Sequence, residues 1–92
     1  MDLFTKEFEI GGEKFVFKQP SAKQMIAIDR KALELREGLS DGLTTAHIYS
    51  QSIALLNTIC IEPQGIDFGD YANTFIDELS EKVVGWLNSF RS

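Results

Sequence analysis

His47 and Cys60 are the only histidine and the only cysteine of this 92-residue chain. With the carboxylates Asp67, Asp70, Asp77, Glu78 and Glu81, they are the side chains whose types suggest metal or nucleophilic chemistry. Their spacing argues against it. His47 has no Cys, Asp or Glu three or four positions on, as a helical metal site needs. His47 and Cys60 lie thirteen positions apart on one predicted helix, roughly 20 Å along its axis at 1.5 Å per residue, so no Cys-His nucleophilic pair forms within one molecule. The carboxylates lack the alternating ligands and closing Glu of a calcium loop, and helix capping and solubility explain them more simply. Gly11-Gly12-Glu13-Lys14 lacks both the spacing and the strand-to-helix setting of a phosphate loop. No catalytic, cofactor or metal residue is assigned, and the chain is expected not to be an enzyme.

The elements explain these residues better. Phe4, Phe8 and Ile10 share one parity, Gly11-Gly12 provides two residues free to take positive φ, and Phe15 and Phe17 resume on a return strand, predicting a hairpin over residues 3–18. A two-residue turn sets Phe8 opposite Phe15 inside and Glu9 opposite Lys14 outside. Pro20-Ser21 then opens a helix over 21–37, where Ser21 and Gln24 form a capping box and Pro20 is placed to staple against Met25. Ala22, Met25, Ile28, Ala32 and Leu35 form its predicted inner face. Asp29, Glu34 and Glu37 interleave with Arg30, Lys31 and Arg36, which reads as a solvated face.

Gly38 to Leu43 reads as a turn-rich, mobile connection. A second helix over 44–60 starts at Thr44 or Thr45, with Ile48, Leu55 and Ile59 on one stripe and Tyr49, Ile53, Leu56 and Cys60 on the next. No charged residue occurs from Thr44 to Ile61, so this helix is either central or covered by a partner. Asp67 caps a short helical turn after Pro63 and Gly65. Asn73 or Thr74 caps a last helix over 74–90, with Asp77 or Glu78 in its first turn and Ile76, Leu79, Val83, Trp86 and Phe90 as its seam. The fold class is α+β: an N-terminal β-hairpin packed on three main α-helices, mostly helical, in a single domain over 1–92.

Composition bounds the rest. At 43% hydrophobic and 11% aromatic residues the chain is too apolar to be disordered, and no apolar run reaches the roughly 18 residues of a membrane span. A net charge of −5 with scattered cations disfavours nucleic acid, and no membrane association is expected. The start, Met1 to Glu7, lacks a secretory leader, and lone Cys60 suits a reducing compartment, so a cytoplasmic location is expected. Greasy surface exceeds what one thin core hides, which suggests a homo-oligomer or a partner. Tyr49, Tyr71, Trp86 and Phe90 are the candidate partner-binding aromatics.

The sequence resembles the small tail assembly chaperones of long-tailed bacteriophages and prophages. The resemblance spans Phe8-Glu9-Ile10-Gly11-Gly12-Glu13-Lys14-Phe15-Val16-Phe17-Lys18, the Pro20-Ser21-Ala22 helix start with Asp29-Arg30 inside, the uncharged helix leading into Ile61-Glu62-Pro63, Asp67-Phe68, and the Leu79 to Phe90 helix. It implies a host-cytoplasmic protein that keeps the helical tape measure protein soluble while the major tail protein is recruited. It also implies, in many cases, a frameshifted longer form, which requires an exposed C-terminus. A small acidic phage regulatory or anti-host protein that inhibits a bacterial enzyme is the alternative.

Overall fold

The computed structural model describes residues 4–37 and 44–91. Its first element is the expected hairpin, β1 (Thr5–Ile10) against β2 (Glu13–Lys18). Phe8 pairs with Phe15 and Glu9 with Lys14. Gly11 and Gly12 both take positive φ, 58° and 84°, the sign that a type I′ turn needs at both central residues to match strand twist. Alternation does the rest: Phe8, Ile10, Phe15 and Phe17 are buried while Glu9 and Lys14 face water.

The sheet gains a third strand that the sequence did not announce. β3 (Cys60–Glu62) pairs antiparallel with β2, giving the order β1-β2-β3, with an irregularity between Val16 and Phe17. The middle helix therefore stops at Ile59, and Cys60 belongs to the sheet. A three-residue strand next to Pro63 carries too little alternation to signal itself, and its pairing partner lies more than forty positions away.

Helix α1 (Ala22–Arg36) starts from the capping box read in the sequence. Gln24 N–H donates to Ser21 Oγ over 3.2 Å, and Ser21 N–H donates to Gln24 Oε1 over 2.9 Å. Its buried face is narrower than expected. Ile28 and Ala32 are buried, but Met25 and Leu35 are not, each being more than 40% exposed. The reason is position: α1 packs chiefly on α2 (Thr44–Ile59), and one neighbouring helix covers only a strip. The expected mobile connection, residues 38–43, lies outside the described residues.

α2 is central, packing against α1, β2, the 3-10 turn Phe68–Asp70 and α3 (Asn73–Asn88). Ser50, Ala54, Leu56 and Ile59 are buried along it, whereas Ile48, placed by sequence on an inner stripe, is exposed. α3 starts one residue earlier than expected and without a side-chain cap: Ala72 is the N-cap, Asn73 is already helical, and no acid falls in the first turn. It ends at Asn88 and tightens into a 3-10 turn over Ser89–Arg91. Ile76, Leu79 and Val83 of the predicted seam are fully in the core.

Candidate functional site

Phe8 of β1 is where the core reaches the surface. Its ring meets that of Phe17 at 5.9 Å on one side and that of Trp86 at 6.0 Å on the other, both edge to face. Trp86 in turn meets Phe90 at 5.6 Å, and Phe90 is 41% exposed. The seam thus runs from buried Val83 and half-buried Trp86 of α3 to open Phe90 in the 3-10 turn that follows. Edge-to-face aromatic contacts fix ring orientation as well as burying area. Trp86 is held between the rings of Phe8 and Phe90 and is half-buried.

Tyr71 lies at the opposite end of the same aromatic chain. Its ring packs on Phe75 at 4.7 Å, Phe68 at 5.5 Å and Phe15 at 6.2 Å. Its hydroxyl donates to Glu13 Oε2 over 3.5 Å. Burial, then the Glu13 charge, pushes its pKa up. Tyr49 is half-buried on α2 and bonded to Asp77 of α3, which raises its pKa, with burial adding to the effect. Trp86 and Phe90 are therefore brought together, while Tyr49 and Tyr71 are each tied by their hydroxyls to a carboxylate of the same chain.

The chemistry-bearing types stay apart. Arg36 of α1 donates from Nη1 to His47 Nδ1 of α2 and from Nε to the Ala32 carbonyl. Cys60 is half-buried in β3, its thiol pushed up in pKa by burial, and its Sγ–H donates to the Glu62 carbonyl over 3.3 Å. Among the described residues no three His, Cys, Asp or Glu side chains are grouped to hold a metal ion. An open groove of about 430 Å³ beside the start of α1 is lined by Phe4, Thr5, Lys18, Gln19, Pro20 and Ser21, with Lys18 its one charged group. No described helix is long and apolar enough to cross a membrane.

Sequence reasoning missed a second apolar surface. Ile26 and Leu33 of α1 are 64% and 62% exposed, one heptad apart on the side away from Ile28 and Ala32. The signal was present: α1 carries apolar side chains at Met25, Ile26, Ile28, Leu33 and Leu35, more than one helical stripe accommodates. Compared with known proteins, the chain matches no family model, no curated protein and no solved structure.

Proposed function

We propose that this chain is a non-enzymatic tail assembly chaperone of the long-tailed phage type, acting in the host cytoplasm on the tape measure protein. The observation that carries the proposal is the Phe8-Trp86-Phe90 aromatic run, which leads out of the core and ends on an exposed ring. A helical client presents apolar side chains at i, i+3, i+4 and i+7, and a rigid aromatic anchor is the group type that contributes most to seating such a helix. Masking is then the whole mechanism: the client's apolar face leaves water, and the chain's charge of −5 keeps the complex soluble. The pattern likeness of the hairpin, the uncharged middle helix and the closing α3 adds support.

The test is retention of tape measure fragments by the chain and by a Trp86→Ala, Phe90→Ala variant whose far-UV circular dichroism shows it folded. Loss of an aromatic hot spot costs about 2 kcal/mol or more, close to thirtyfold in affinity. Undiminished retention rejects this surface, and no retention by either protein rejects the chaperone reading.

A further inference from the structure

We infer that the outer edge of β1 takes an extended, basic segment of another protein as an added strand of the sheet. The Gln19 N–H donates to the Phe4 carbonyl over 2.7 Å and closes the hairpin ladder. Bonded and non-bonded pairs alternate in an antiparallel ladder, so Lys6, Phe8 and Ile10 turn their peptide groups to Phe17, Phe15 and Glu13 of β2. Glu7 and Glu9 turn theirs the other way. β1 ends the order β1-β2-β3, and among the described residues no bond from outside the hairpin reaches the backbone of Glu7 or Glu9. Their N–H and C=O groups line the edge, and an extended chain presents the complements at strand spacing. A helix has its own peptide groups paired, so this edge is no seat for a helical client, and the inference does not rest on the chaperone reading.

Charge decides which chain. The Glu7 and Glu9 side chains share the outer face of the hairpin and are both exposed, roughly 7 Å apart along the strand. Glu7 lies opposite uncharged Val16, Glu9 opposite Lys14, and Lys18 opposite Thr5. Lys6 stands on the other face with Phe8, its Nζ 5.5 Å from the ring centroid. Glu7 is thus an acid that no directly facing cation offsets. Pairing β1 with β1 of a second copy sets acid on acid, because in the two registers of greatest overlap Glu7 meets Glu7 or Glu9. Like charges directly opposite are destabilising, so the edge is guarded against its own kind. A strand with Lys or Arg at alternate positions meets Glu7 and Glu9 instead, and its other side chains extend the buried inner row of Phe8 and Ile10.

Hydrogen exchange of the full chain, read amide by amide by NMR, tests this with two capped peptides of about seven residues. One alternates Lys and Val, the other Glu and Val. At about 1 mM the Lys-Val peptide should slow exchange at Glu7 and Glu9 about fivefold or more while α1 keeps its own rate, because the edge amides alone gain a bond. The Glu-Val peptide should leave both amides unchanged. Glu7→Lys with Glu9→Lys should reverse the preference while circular dichroism stays unchanged. Glu7→Gln with Glu9→Gln, which removes the charge and keeps the shape, should level the responses to the two peptides. Unchanged exchange with the Lys-Val peptide overturns the inference, as does equal slowing of the unaltered chain by both peptides or slowing that extends equally to α1.

Discussion

Asn57 of α2 and Asp67, ten residues later, are bonded side chain to side chain, Asn57 Nδ2 donating to Asp67 Oδ1 over 3.1 Å. The same Asn57 accepts the Phe68 backbone N–H at its Oδ1 over 2.8 Å, while Asp67 Oδ1 also accepts the Gly69 N–H over 2.8 Å. Two polar side chains thus fasten the 3-10 turn to α2 and seat Phe68, which has no exposed surface and packs on Phe15 and Phe17 at 5.5 and 5.9 Å. Asn57→Ala leaves the Phe68 N–H without its acceptor at a part-buried position, a loss of about 1–3 kcal/mol. Urea denaturation should show a lower midpoint at an unchanged slope.

The same cluster makes stability depend on acid. The Gly69 N–H, and then the Asn57 amide, hold the Asp67 carboxyl below its ordinary value of 3.8. A depressed folded-state pKa contributes stability that is fully present above the unfolded value and is lost as pH falls through the folded one. The melting temperature should therefore drop as pH goes from near 4 downward. Asp67→Asn keeps an acceptor oxygen but no titrating proton, so its melting profile should be flatter over that range. Equal slopes for the two proteins would assign the acid loss to other carboxylates.

Backbone geometry at the hairpin turn separates two glycines that look equivalent in sequence. A Cβ at Gly11 or Gly12 meets nothing within 4 Å, so any cost of substitution is conformational. Gly11, at φ 58°, sits where Asn is at home, and Gly11→Asn should change stability by no more than about 0.5 kcal/mol. Gly12→Val forces a β-branched residue to φ 84° and should cost about 1–3 kcal/mol. Chemical denaturation of both variants checks the contrast.

Local signals made most of this fold legible and non-local ones hid the rest. The alternation around Gly11-Gly12 set the Phe8 to Phe15 register, and Ser21 with Gln24 set the start of α1, because each depends only on neighbours in the chain. β3 was invisible because its reason for being a strand is the edge of β2. Met25, Leu35 and Ile48 were placed inside because periodicity marks an apolar face without saying how much of it a neighbour covers. Ala72 as the uncapped start of α3 followed no capping rule, since the packing of Ile76 and Leu79 outweighs one cap of about 1 kcal/mol. Of the candidate aromatics, Trp86 and Phe90 could be paired from their spacing of four, but the hydroxyl bonds that hold Tyr49 and Tyr71 cross between elements.

Thr58 holds a hydroxyl oxygen that is buried without a hydrogen-bond partner among the described residues. Replacing it by the isosteric Val removes that unpaired group and leaves the shape intact. A buried hydroxyl lacking a partner costs about 1–3 kcal/mol, so Thr58→Val should raise stability by about 1 kcal/mol. A fall on thermal melting would mean that the hydroxyl is satisfied in solution.

α1 provides the sharpest test of which apolar residues hold the fold. Ile28 is 4% exposed and Leu33 is 62% exposed, although both are large aliphatics five positions apart on one helix. Ile28→Ala removes packed methylenes from the α1 and α2 contact and should cost about 2–5 kcal/mol, a large fraction of what a domain of this size possesses. Leu33→Gln exchanges one solvated side chain for another of good helix propensity and should stay within about 0.5 kcal/mol. Urea titrations of the two variants compare them. Comparable losses would place Leu33 in the core and remove the outer α1 face as a surface available to any partner.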